Sequence, residues 1–113
     1  MANAPRLFHS RGSRVFHGKA GAIITECRLV MREATTGDVI TCLATYTPCG
    51  VSPATYADLD DCDYHRGGIC TVETDGSAAV GDYVKPDTTS GKAVKDSTTV
   101  RSLDSVGRLL TLD

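Results

Sequence analysis

Apolar residues in this chain recur mostly at every second position, in short runs separated by turn formers, which is the period of half-buried strands. The best-marked unit lies between Ala79 and Lys95. Gly81-Asp82 is a turn pair, since glycine accepts positive φ and aspartate bonds its own nearby backbone. Tyr83-Val84-Lys85 carries β-favouring side chains, and Pro86 then removes a ladder donor. Asp87 to Gly91 is a cluster of turn formers, after which Lys92 to Lys95 resumes an extended run. The pattern predicts a surface hairpin.

Gly21 to Arg32 is the clearest periodic segment elsewhere. Ile23, Thr25, Cys27, Leu29 and Met31 fall on one strand face, with the more polar set Ile24, Glu26, Arg28, Val30 and Arg32 on the other. A short helix gathering Ile23, Cys27, Val30 and Met31 is the alternative. Thr36-Gly37-Asp38 punctuates a turn over Glu33 to Asp38. Val39 to Tyr46 has no charge on either face, so it predicts a central strand paired antiparallel with the segment before it. Thr47 to Gly68 reads as an irregular loop with room for a short strand at Gly50-Val51. Ile69 to Glu73 alternates again and is closed by Asp75-Gly76. The last apolar run, Val106 to Leu112, places Leu109, Leu110 and Leu112 inside.

A chain of 113 residues fits one domain that buries roughly two-thirds of the surface its unfolded form exposes. With no tryptophan, two phenylalanines and four tyrosines, the core must be largely aliphatic. Abundant Thr, Val, Gly and Asp favour strands and turns over helices. The expected fold is all-β, a small antiparallel β-barrel or β-sandwich at residues 21–113 with an N-terminal arm at residues 1–20.

The net charge of −2 conceals a segregated layout. Residues 1–20 carry Arg6, Arg11, Arg14 and Lys19 with His9 and His17 and no acid. Residues 33–65 carry Glu33, Asp38, Asp58, Asp60, Asp61 and Asp63 with no Lys or Arg. Aromatic and arginine residues are what interface hot spots favour. Arg6, Phe8, Arg11, Arg14 and Phe16 are therefore the candidate partner-binding residues, against the alternative of a tail that folds back on its own domain. No apolar run reaches the ~20 residues a membrane span needs, and no apolar core of a secretory signal follows the first residues. The expectation is synthesis in a cytosol, where Cys27, Cys42, Cys49, Cys62 and Cys70 are free, half-buried thiols.

Candidate chemistry is sparse. Asp58, Asp60, Asp61 and Asp63 have a spacing that calcium loops use, but no glycine stands at the sixth position and no glutamate closes the loop. Cys42, Cys49, Cys62, His65 and Cys70 lack the tight Cys pair that preorganises zinc ligands, with only Cys62 and His65 close together. A thiol nucleophile at Cys62 with His65 as base has no oxyanion site marked beside it. Ser90-Gly91-Lys92-Ala93 lacks the upstream glycine and the hydroxyl of a phosphate loop. No cofactor or metal is expected.

Taken as one pattern, Gly37-Asp38-Val39, Gly50-Val51, Gly68-Ile69-Cys70-Thr71-Val72-Glu73, Val80-Gly81-Asp82-Tyr83-Val84, Asp87, Gly91-Lys92-Ala93-Val94 and Val106-Gly107 resemble the small bacteriophage capsid decoration (cement, head-stabilising) proteins. The resemblance covers residues 37–107. It implies a structural virion protein, not an enzyme, that binds the outer surface of an assembled capsid. The implied partners are the major capsid protein and further copies of the chain, as a dimer or trimer, with no membrane and no direct nucleic-acid role. Two other readings stand beside it. A lipoyl- or hammerhead-like module also uses a Gly-Asp-x-Val turn and would need Lys85 or Lys92 presented at a hairpin tip. A small Cys/His metal-binding protein would be built on Cys62 and His65.

Overall fold

The computed structural model describes residues 10–43, 46–97 and 107–108, and every described element is a strand. In chain order they are β1 (Ser10–Arg11), β2 (Arg14–Lys19), β3 (Leu29–Arg32), β4 (Val39–Thr41), β5 (Gly50–Val51), β6 (Asp61–Arg66), β7 (Ile69–Cys70), β8 (Tyr83–Pro86), β9 (Ala93–Ser97) and β10 (Gly107–Arg108). They form a five-stranded sheet in the order β2-β6-β5-β3-β4, a three-stranded sheet β10-β8-β9 and the small pair β1-β7. All the strand ladders are antiparallel. The large sheet curls until Ala20, just past β2, makes a parallel bridge to Val39 of β4. That single bridge leaves a curled, sandwich-like arrangement rather than a closed barrel.

β3 is the strand covered on both sides. Val30 packs with Ala20, Ile24, Val39, Cys62 and Tyr64 in one core, while Leu29 packs with Cys42 and Val51 in a second. Full burial of an aliphatic side chain of this size contributes about 1.5–3 kcal/mol. A third cluster, Ala78, Val84 and Ala93, lies under the β8–β9 hairpin, with Val72 packed against both it and the second core.

Several sequence expectations change here. The strand expected over Gly21 to Arg32 forms only at Leu29–Arg32. Cys27 has φ 59, a left-handed conformation that interrupts the alternation. Buried Ser52 holds this kink: its carbonyl accepts from the Cys27 N–H, and its hydroxyl donates to the Thr25 carbonyl at 2.7 Å and accepts from the Arg28 N–H. The faces are consequently not those of a continuous strand. Ile24 and Val30 are fully buried, whereas Ile23 is 70% exposed.

Of the expected central strand, Val39 to Tyr46, the described residues form strand only at β4, which lies at the sheet's outer position, although its pairing with β3 is as expected. Gly50-Val51 is a strand, but so is Asp61–Arg66, which the sequence pattern assigns to loop. The strand expected at Ile69 to Glu73 is confined to Ile69–Cys70. Leu109, Leu110 and Leu112 lie outside the described residues.

The expected hairpin is present, with Tyr83–Pro86 against Ala93–Ser97. Asp87 organises its loop, accepting from the N–H groups of Thr89, Ser90 and Gly91 and from the Ser90 hydroxyl. Burial pushes the Asp87 carboxyl up, but these hydrogen bonds outweigh it and leave the group below its ordinary 3.8. Because the folded value is the lower one, the stabilisation is complete above 3.8 and is lost as pH falls through the folded value. The melting-temperature gap between wild type and Asp87→Asn should therefore narrow as pH drops from about 5 to about 2. A gap that stays constant over that range would contradict the loop's role.

The hairpin is tied to the large sheet beside the Cys27 kink. Leu29 N–H donates to the Gly91 carbonyl, Glu73 N–H to the Cys27 carbonyl, and Ala93 N–H to the Glu73 carbonyl. Arg28 and Lys92 both reach the Glu73 carboxylate, at 3.2 and 3.7 Å, and Arg28 Nη1 also donates to the Ser90 carbonyl.

Candidate interaction surface

The basic and acidic blocks of the sequence meet in one ladder. β2 pairs with β6 so that Arg14 faces Arg66, Val15 faces His65, Phe16 faces Tyr64, His17 faces Asp63, Gly18 faces Cys62 and Lys19 faces Asp61. The same register extends outward to Ser10 opposite Cys70 and inward to Ile24 opposite Tyr56. Residues 10–24 and 56–70 are thus one long antiparallel ribbon. It is broken where Gly12, Gly67 and Gly68 all take positive φ, and it opens between the Ala20 and Ile24 pairings.

Side chains alternate across this ribbon. Phe16, Gly18, Cys62 and Tyr64 lie on the inner face; Val15, His17, Lys19, Asp61, Asp63 and His65 lie on the outer one. On the outer face His17 Nδ1 meets Asp63 Oδ1 at 2.5 Å, and Lys19 stands opposite Asp61. Lys19 and Asp61 are opposite charges facing each other across the ladder, which stabilises it by a few tenths to about 1 kcal/mol, less where exposed. On the inner face Phe16 stacks on Tyr64, centroids 5.6 Å apart and planes 17° apart, and the Arg66 guanidinium lies 5.9 Å from the Phe16 ring.

Arg32 closes the curl where the strands do not pair. Its Nη2 donates to the His17 carbonyl at 2.5 Å, its Nη1 to the Gly37 carbonyl at 2.9 Å and its Nε to the Tyr64 hydroxyl at 3.1 Å. The guanidinium carbon sits 5.2 Å from the Tyr64 ring centroid. Arg32→Met keeps the apolar stem and removes the three donors, and should cost about 2 kcal/mol in urea unfolding. Arg32→Lys should recover only part of that, because an ammonium cannot span three diverging acceptors. Equal stability of all three proteins would contradict this role.

The candidate partner-binding residues therefore have different fates. Arg6 and Phe8 lie outside the described residues. From Ser10 onward the expected arm is strand and belongs to the β-fold: Arg11 is exposed in β1 opposite Ile69, Arg14 is exposed at the start of β2, and half-buried Phe16 is engaged with Tyr64 and Arg66. Sequence reasoning passed over Arg66, Arg32 and Tyr64. The strict polar–apolar alternation of Asp61-Cys62-Asp63-Tyr64 was the available signal.

The other chemical candidates are kept apart by geometry. Cys62 is buried on the inner face of β6, and His65 is on the outer face, where its Nδ1 lies 3.1 Å from the Ser13 hydroxyl. Among the described residues no three His, Cys, Asp or Glu side chains converge as metal ligands would. All five cysteines are free thiols. Burial raises the pKa of Cys49, Cys62 and Cys70, and burial with the neighbouring Cys49 pushes Cys42 up to about 11. Lys85 and Lys92 flank the Asp87–Gly91 loop rather than occupy its tip, and they pair with Asp96 at 3.8 Å and Glu73 at 3.7 Å.

The described residues thus form an all-β fold with a curled five-stranded sheet, a docked hairpin and an exposed charged ribbon. No protein-family model and no curated protein matches the chain. Among solved structures, the crystal structure of the head fiber gp8.5 N base in bacteriophage phi29 is similar, with a TM-score of 0.59 and 16% sequence identity. The match covers 74% of this chain and 73% of that one. At that identity the likeness establishes a shared fold.

Proposed function

We propose that this chain is a structural protein of a bacteriophage virion that docks on the outer surface of the assembled head, with the major capsid protein as its partner. The observation that carries the reading is the fold shared with the phi29 head-fibre base over about three-quarters of both chains. The resemblance of residues 37–107 to capsid decoration proteins points the same way from the sequence. Work of this kind is adhesive: no bond is made or broken. A protein that binds only the assembled lattice stabilises it by RT ln(1 + [L]/Kd) per site, about 2.7 kcal/mol when the free protein is at a hundred times Kd.

Quantitative mass spectrometry of purified phage particles tests this. The chain should be present at a fixed ratio to the major capsid protein and should survive washing. Its absence from particles, with abundant free protein in the lysate, would overturn the reading.

A further inference from the structure

We propose that the two ends of the ribbon are the two halves of a contact between copies of this chain, the basic end of one docking on the acidic end of the next. Arg14 and Arg66 face each other directly, an arrangement that destabilises a ladder by itself. Among the described residues neither they nor nearby Arg11 has a carboxylate within ion-pair distance. Val15 and Ile69, each 48% exposed, lie at this same end.

The other end is its complement. Asp58, Asp60 and Asp61 are exposed around the turn after Ala57, and Asp38, just before β4, lies beside Gly21. Leu59, 64% exposed, and Ile23, 70% exposed, lie in the unpaired stretch between the Ala20 and Ile24 pairings, close in sequence to these acids. Leu59 holds φ 72, a conformation uncommon for a residue other than glycine. Between the two ends, His17 pairs with Asp63 and Lys19 stands opposite Asp61, so the remaining charge lies at the poles, basic at one and acidic at the other, with an apolar pair at each. At ~3.3 Å per residue, the poles at Arg14 and Gly21 are roughly 23 Å apart.

The occupant is a second copy because this chain itself supplies both complementary surfaces. Edge-to-edge pairing of two β2 strands would instead set Arg14, His17 and Lys19 against the same three residues, which is how natural edges resist such pairing. Joining pole to pole satisfies both ends either about a two-fold axis, with the ribbons antiparallel, or around a ring. The proposal does not rest on the virion reading, and its test uses the purified full chain without capsids.

Sedimentation velocity at low and high salt should show an assembly larger than the monomer that dissociates as salt screens the poles. Arg14→Glu/Arg66→Glu makes both poles acidic. Asp38→Lys/Asp58→Lys makes both basic: it leaves Lys19 opposite Asp61 and spares Asp60, whose carboxylate accepts from the Ala57 N–H. Each variant alone should associate about a hundredfold more weakly or worse, since like charges then face each other. An equimolar mixture of the two should restore the assembly, because every acidic pole then finds a basic one. Ile23→Asn/Leu59→Asn, at exposed positions and with a residue that tolerates positive φ, should weaken association by about tenfold without altering charge. This variant also serves if a charge-reversed protein fails to fold by circular dichroism. A wild type that stays monomeric at low salt, variants that assemble like wild type, or a mixture that stays dissociated would each overturn the proposal.

Discussion

Gly50→Ala is expected to lower stability by about 3 kcal/mol, or roughly 15 °C in melting temperature for a domain of this size. A Cβ at Gly50 would stand 2.5 Å from the His65 carbonyl oxygen and 2.7 Å from the Tyr64 ring. The first of these is backbone of the neighbouring strand and cannot rotate away. β5 has only Gly50 and Val51 to join β3 to β6, so the added methyl forces apart the two halves of the five-stranded sheet. Gly76 is the control. Its φ is 91, but nothing lies within 4 Å of an added Cβ, so Gly76→Ala should cost only the ~1–2 kcal/mol of the left-handed conformation. Urea unfolding of the two variants decides the matter, and a Gly50→Ala loss no larger than that of Gly76→Ala would place β5 wrongly.

Gly91→Ala should be nearly as damaging, by about 3 kcal/mol, for two reasons that can be separated. Gly91 has φ 74, and an added Cβ would meet the Thr41 Cγ2 at 2.6 Å and the Leu29 carbonyl oxygen at 3.0 Å. This is where the hairpin loop touches the large sheet, with the Gly91 carbonyl accepting from Leu29 N–H. Thr41→Ser removes the methyl that is struck. In the Gly91→Ala background it should return roughly half of the lost stability, leaving the backbone cost. No recovery in the double variant would mean that the loop does not sit against β4.

The hairpin was legible because its determinants are local. Gly81-Asp82, Pro86 and the run from Asp87 to Gly91 set its ends without help from elsewhere, and the structure keeps them within a residue or two. β6 was hidden for the opposite reason. Asp61 and Asp63 are poor strand formers alone, and what makes them acceptable is Lys19 and His17 on a strand far away in sequence. The same remote pairing turns the apparent basic arm into paired strand, with β1 against β7 and β2 as an edge of the five-stranded sheet.

The inverted faces around Ile23 and Ile24 have a comparable origin. Cys27 adopts positive φ because Ser52, from a different part of the chain, satisfies the Thr25 carbonyl and the Arg28 N–H around it. Nothing in Thr25-Glu26-Cys27-Arg28 marks that kink. Of the candidate site, the arginines were legible as charge but not as position. Arg11 and Arg14 were singled out, whereas Arg66 completes their cluster only through the ladder.

The most direct test of the central claim is binding to heads. Phage heads lacking this protein, mixed with the purified chain and pelleted, should retain it up to a fixed number of copies per head. The loaded heads should rupture at a higher temperature than bare ones, by mass action on the assembled lattice. Protein that stays in the supernatant, with heads rupturing at an unchanged temperature, would contradict the account.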